Sequence, residues 1–326
     1  MRTLGRWLGR LITFLFLVSA AIWFLAPRET MDASLRFDAS VLPQDLDGWL
    51  AAREGVISDI TPGAQKQIVW AGAPGARTPL AVIYIHGFSA TLQEVRPLPD
   101  EVARGLGANL YFSRLAGHGR TGQALAEARP EDWMIDMAEA LAIGRRIGER
   151  VLVIGTSTGA TLASIALVDP AGAEGVAGAV LISPNFRLAS AAGAILDLPL
   201  ARHWAPLVAG AERSFVPQSA EHARWWTTRY PTVALFPMAT LMRHARGLDF
   251  GATRVPVLIL QSDGDRVVDA AETARVASAW GAPARLVAPV MGDRDDPYSH
   301  VIAGDILSPG QTGPLVQAIL DWAAGL

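Results

Sequence analysis

Val151-Leu152-Val153-Ile154-Gly155-Thr156-Ser157-Thr158-Gly159 is the stretch on which the reading of the chain turns. A short apolar, β-branched run ends in Gly-x-Ser-x-Gly, and an Ala-rich helical pattern from Thr161 to Val168 follows at once. Strand, sharp turn and helix are the order that a nucleophile elbow requires. The flanking glycines leave room where side chains would collide, and the helix aims backbone N–H groups at the reacting centre. Ser157 is therefore a candidate nucleophile, although the same letters read alone also fit a plain tight turn.

Working outward, strand and helix patterns alternate. Leu80 to Ile85 reads as a buried strand closed by His86-Gly87-Phe88, and a helix is expected from about Gln93 to Leu106. Ala108 to Phe112 is the next strand, with Arg114 to Arg120 a loop and Trp133 to Ile147 a helix behind Pro130-Glu131-Asp132. After the elbow come strands at Val176 to Ile182, Val255 to Gln261 and Ala284 to Val290, then a closing helix from Pro314 to Ala323. Repeated βα units imply an α/β fold with a mainly parallel sheet covered on both faces. The interval Asn185 to Thr253 breaks the alternation with helical stretches at Ala191 to Leu198, Ala220 to Trp226 and Thr232 to Arg246. A structureless loop of that length is improbable, so the interval reads as an inserted helical cap. Trp225 and Trp226 are expected in its core.

A serine hydroxyl is a poor nucleophile and needs a base, which needs an orienting carboxylate. Past the strand ending at Gln261 comes Ser262-Asp263-Gly264-Asp265, followed by Arg266 to Asp269. Asp265 is best placed to reach inward, Asp263 is the alternative, and Asp269 reads as the N-cap of a helix over Ala270 to Trp280. Past the last strand, His300 lies on a polar loop at a strand's carboxyl end, so its imidazole can reach the serine. Ser157, Asp265, His300 is the chain order of one known triad architecture. The Asp293 to Asp296 cluster lacks the spacing of a calcium loop and reads as a solvated loop. Acyl transfer creates an oxyanion, for which the backbone N–H groups of Thr158 and Phe88 are candidate donors. His86 reads as structural, its ring holding the loop by a hydrogen bond.

The 326 residues suffice for one large α/β domain; 51% are hydrophobic and 18% charged. A formal charge of −3 gives no sign of a nucleic-acid surface, and with no cysteine there is no thiol nucleophile, disulfide or cysteine zinc site. The single lysine, Lys66, lies in a polar stretch, which disfavours Schiff-base chemistry. His203, His222 and His244 are scattered and show no metal-ligand spacing. At the amino terminus, Arg2, Arg6 and Arg10 precede an apolar run from Leu11 to Ala26, which approaches a membrane span if Trp7 and Leu8 are counted. An uncleaved anchor with the remainder outside the cytoplasm is favoured over a signal cleaved near Val18-Ser19-Ala20. The organisation is thus 1–27 membrane anchor or signal, 28–66 linker and N-terminal extension, and 67–326 α/β domain with a cap at about 185–253. Within 28–66, Leu46 to Gly55 suggests a short helix.

His86-Gly87-Phe88, Gly117-His118-Gly119, Gly155-Thr156-Ser157-Thr158-Gly159, Gly264-Asp265-Arg266-Val267-Val268 and Ser299-His300-Val301-Ile302 together resemble the α/β-hydrolase superfamily. They are most similar to its carboxylesterase, monoglyceride-lipase and serine-aminopeptidase-like branch, over about Gln67 to Leu326. The resemblance implies an α/β-hydrolase fold with an eight-stranded sheet, a helical lid and cofactor-free serine hydrolysis. Thr156 and Thr158 depart from it, standing where His or Leu and Met, Leu or Gln are commoner; this bears on substrate preference, not on chemistry. The membrane segment is no family trait. The expected activity is hydrolysis of a small-molecule ester with an acyl or other apolar chain. The alternatives are amide or peptide hydrolysis, or a membrane-tethered binding protein on a silent hydrolase scaffold.

Overall fold

A computed structural model of the chain describes residues 2–26 and 28–326. The first element, α1 (Arg2–Leu25), is a single helix whose Gly5–Leu25 part is long and apolar enough to cross a membrane. From Arg28 the chain runs through a 3₁₀ turn at Ala39–Val41 to α2 (Leu46–Gly55), started by Asp45, whose carboxylate accepts the Gly48 N–H at 2.9 Å. Leu46 and Leu50 of this helix enter the core.

The sheet begins with β1 (Gln67–Val69) and β2 (Thr78–Ile85), followed by α3 (Leu98–Leu106) and β3 (Asn109–Phe112). Helix α3 starts five residues later than its periodicity suggests. Pro97 forms its N-cap and keeps Arg96 out of helical backbone, so the apolar residues ahead of it pack from turns instead. Next come α4 (Gly122–Glu127) and α5 (Pro130–Ile147), the latter opened by Pro130 and by Asp132, whose carboxylate takes the Arg129 N–H. The elbow is made by β4 (Gly148–Thr156) and α6 (Thr158–Val168), with the short α7 (Pro170–Ala173) leading to β5 (Val176–Ile182).

The seven strands of the main sheet run in the order β1-β3-β2-β4-β5-β8-β9, where β8 is Val257–Leu260 and β9 is Ala284–Val287. Every pair is parallel except β1 with β3. The eight strands implied by resemblance are therefore seven among the described residues. The chain ahead of β1 is occupied by a turn, in which Ala64 N–H bonds to Thr61 O and Lys66 N–H to Glu54, so no strand lies along the outer edge. Central strands are buried on both faces, as continuous apolar runs require. Ala81, Ile83, Val151 and Val153 feed one core layer; Val82, Tyr84, Leu152 and Ile154 feed the other.

Between β5 and β8 lie a 3₁₀ turn (Ala191–Asp197), α8 (Ala201–Ala209), and an antiparallel pair, β6 (Glu212–Ser214) with β7 (Arg229–Pro231), that brackets α9 (Ala220–Trp225). Helix α8 and this pair go beyond the helical stretches read from the sequence. Trp225 and Trp226 are buried in the apolar layer that also holds Ile60 and Ala64. The last helix of the interval, α10 (Leu235–Arg246), packs through Met238, Leu241, Met242 and Ala245 with residues of α5 and α6, as part of the layer flanking the sheet. The chain closes with α11 (Ala270–Ala279), capped by Asp269, and α12 (Pro309–Ala323).

Candidate active site

Ser157 sits between β4 and α6 with φ 51° and ψ −114°, a conformation that non-glycine residues avoid. Its surroundings hold it there. The Ser157 N–H donates to Ile182 O at 2.8 Å, and its carbonyl accepts from Thr161 N–H at 3.1 Å and Asn185 N–H at 3.2 Å. A Cβ at Gly159 would drive into the carbonyl oxygens of Ile85 and His86, which explains the second glycine of the motif. Ser89, Ser183 and Ser299 also take positive φ, each on a loop past a strand of the sheet.

His300 Nε2 lies 3.1 Å from Ser157 Oγ, and His300 Nδ1 lies 2.9 Å from Asp265 Oδ2. The Asp265 side chain is fully buried. Its Oδ1 accepts the Val267 and Val268 N–H groups at 2.8 and 2.9 Å, and its Oδ2 accepts Gln261 Nε2–H at 3.0 Å. With Nδ1–H committed to this carboxylate, Nε2 is the acceptor for the serine hydroxyl. Burial pulls the His300 imidazolium down, but the charge and hydrogen bond of Asp265, helped by Glu94 and Asp296, hold it above the ordinary histidine value. Asp263 is exposed on the same turn, while Asp269 caps α11 through Ala271 and Glu272 N–H.

The acidic cluster before His300 is not the solvated loop its composition suggests. Asp295 and Asp296 are buried. Asp296 Oδ2 accepts the N–H groups of His300 and Val301, both at 3.0 Å, and Oδ1 accepts Tyr298 N–H at 3.1 Å and Gln218 Nε2–H at 3.3 Å. It thus shapes the histidine loop and ties it to the segment ahead of α9. An aspartate four residues before the histidine, followed by proline, was the available signal.

Past β2, the His86 ring bridges two loops. Its Nε2 accepts the Leu115 N–H at 3.1 Å, so its protonated Nδ1 donates to Gly87 O at 2.9 Å. Burial pushes His86 down to about 4, which keeps it neutral. His118 is also buried and held well below the ordinary value, packed among His86, Phe88 and Trp133. Phe88 stacks edge-on against Tyr230 of β7 at 5.4 Å, and Thr227 N–H donates to Ser89 O at 2.7 Å, so the cap rests on this loop. Thr158 is the first residue of α6, where backbone N–H groups have no partner within the helix.

A second polar cluster was not foreseen. Lys66 stands in the loop before β1, but its side chain turns inward and is buried, with Nζ 2.9 Å from Asp136 and 2.5 Å from Glu139. Arg114 pairs with Glu54 at 2.6 and 2.8 Å, and Asp136 also takes the Ala116 N–H at 2.7 Å. The cluster braces the loop that carries His118 against α2 and α5. Among the described residues, no group of three or more His, Asp or Glu side chains is placed to hold a metal ion.

The model of the serine aminopeptidase S33 family matches residues 77–287, a span that contains Ser157 and Asp265 and stops short of His300. The chain belongs to this family, within the α/β-hydrolase superfamily and on its monoacylglycerol-lipase-like branch. It is 27% identical over 191 residues to a thermostable monoacylglycerol lipase of Bacillus sp. (strain H-257), covering 58% of this chain and 72% of the relative. A solved metagenome-derived lipolytic enzyme matches with a TM-score of 0.66 and 22% identity, over 82% of this chain and all of the other. A soluble variant of monoglyceride lipase from Saccharomyces cerevisiae matches with a TM-score of 0.59 and 13% identity, over 80% of this chain and 90% of the other. These structural likenesses share the fold.

Proposed function

We propose that the protein is a lipase- or esterase-type serine hydrolase that cleaves carboxylic esters with acyl or other apolar chains. The observation that carries this reading is the hydrogen-bonded chain Ser157–His300–Asp265 on a strained strand-to-helix turn. His300 takes the Ser157 proton as Oγ attacks the carbonyl carbon, and Asp265 stabilises the imidazolium. The N–H groups of Phe88 and Thr158 hold the oxyanion, the alcohol leaves with the proton from His300, and water then attacks the acyl-enzyme. A monoacylglycerol lipase among the relatives supports an ester substrate. The name of the family model favours a second reading, aminopeptidase-like amide hydrolysis.

In this reading α1 is a membrane anchor, with Arg2, Arg6 and Arg10 on the cytoplasmic side and the α/β domain outside. Glu29, just past α1, pairs with Arg202 of α8, and its carbonyl accepts from Arg243 of α10. Helix α8 leaves Leu207 and Val208 85% and 79% exposed, which suits an apolar substrate drawn from the adjoining bilayer.

The test is Ser157→Ala against wild type, with a fluorophosphonate probe and a series of p-nitrophenyl esters beside aminoacyl anilides. Loss of labelling and of ester turnover is expected, with esters preferred over anilides. Substantial turnover by the purified variant would sink the nucleophile assignment, and preference for anilides would favour the second reading.

A further inference from the structure

The mechanism above makes no use of Glu94. This residue lies in the turns before α3 and is 2% exposed. Its Oε2 accepts the Gly87 N–H at 2.7 Å and the Tyr84 hydroxyl at 3.1 Å. The Tyr84 oxygen in turn meets Thr156 Oγ1 at 3.1 Å, so the unusual threonine of the serine motif completes a relay of hydroxyls ending on Glu94. A Cβ added at Gly87 would lie 2.6 Å from Glu94 Oε1 and 3.2 Å from Ser157 Cβ. A side chain at Gly87 would therefore press on both the Glu94 carboxylate and the serine.

The neighbouring peptide explains why that matters. The Gly87 carbonyl is held by the His86 ring at 2.9 Å and by Ala90 N–H at 3.3 Å. In a planar trans peptide the N–H points opposite to the carbonyl, so pinning Gly87 O aims the Phe88 N–H. Glu94 fixes the preceding N–H of the same turn. The negative charge also acts on His300 through space, beside the larger effect of Asp265, which bonds its ring, and with that of Asp296, which bonds its backbone N–H, while Glu94 itself feels His300 and the Tyr84 hydroxyl it bonds.

We propose that Glu94 is a positioning residue for the reaction at Ser157: its carboxylate ties down the turn that aims the Phe88 N–H and sets a negative charge in the field of the His300 imidazolium. The inference rests on the Ser157–His300 reading above. Glu94 takes no proton in the acyl-transfer step; the proton passes from Ser157 Oγ to His300 Nε2 and on to the leaving alcohol. Burial raises the Glu94 carboxyl to about 7, so the charge is half developed at neutral pH and grows as the pH rises above it.

Glu94→Gln and Glu94→Ala are compared with wild type on p-nitrophenyl butyrate, with rates expressed per fluorophosphonate-titrated site so that only folded, reactive enzyme counts. Glu94→Gln removes the charge and keeps an acceptor for Gly87; the acid midpoint of kcat/KM should fall by about half a unit or more. Glu94→Ala removes both, and kcat per site should fall about tenfold or more, with KM changed little. Wild-type kcat and acid midpoint per titrated site in both variants would overturn the proposal. So would a loss confined to the yield of titratable protein, which is the mark of a merely structural role. Ser157→Ala separates the two readings: if it is inert while both Glu94 variants match wild type, only the role of Glu94 fails.

Discussion

Asp263 and Asp265 stand two residues apart on one turn, yet only Asp265 turns its carboxylate to His300; Asp263 remains in solvent. Asp265→Asn should therefore cost on the order of 10⁴-fold in kcat, by losing the charge that fixes the imidazole tautomer, whereas Asp263→Asn should cost little. Steady-state kinetics on one ester checks both, and a crippled Asp263 variant beside an active Asp265 variant would reverse the assignment. In the proposed mechanism the base must be neutral, and His300 is held above its ordinary value. Hence kcat/KM should fall as pH drops through a midpoint above the ~6.5 of a free histidine. Glu94 has the opposite bearing on stability. Its folded value of about 7 exceeds the free 4.5, so its contribution is fully present below 4.5 and is lost as pH rises through 7. Glu94→Gln lacks that loss, and its stability relative to wild type should grow over this window by on the order of 3 kcal/mol in denaturant titrations at pH 5 and pH 8. Ser157 and His300 could be picked out from sequence because each follows a strand of one sheet. Glu94 and Asp296 could not, since their part comes from burial and from N–H groups that only the folded loops bring to them.

The elements were legible where a strand is central or a helix has a start signal. Residues 176–182 and the helix behind Pro130 follow directly from apolar runs and capping residues. The antiparallel pair of β6 and β7 was not legible, because strands of three residues with exposed positions carry no period. Nor was the ionic cluster that joins α2, the turn before β1, α5 and the loop after β3, because Glu54, Lys66, Arg114, Asp136 and Glu139 lie far apart in the chain. Removing one partner leaves buried charge without compensation, so Lys66→Met should cost about 3–5 kcal/mol. Chemical denaturation of the purified variant measures this; a change under 1 kcal/mol would mean that water already reaches Asp136 and Glu139.

For the molecule as a whole, the mainly parallel sheet and the strand-end loops follow from the alternation of βα units, while the order of the strands and the missing outer strand are visible only in the folded chain. If α1 is an anchor, the full-length protein should stay with membranes through high-salt and alkaline washes, and its α/β domain should be cleaved by protease added from the extracytoplasmic side. Release of a soluble product that starts near Ala21 would show a cleaved signal instead. The burial of Lys66 has a practical consequence for such experiments. The chain has one lysine and no cysteine, and that lysine's amine is closed in by two carboxylates. Maleimides will find no thiol to modify, and succinimidyl reagents will find no accessible lysine on the folded protein, which leaves them an α-amino group alone. A single cysteine introduced on an exposed loop would then be a unique handle, reporting on orientation at the membrane against a background with no competing label.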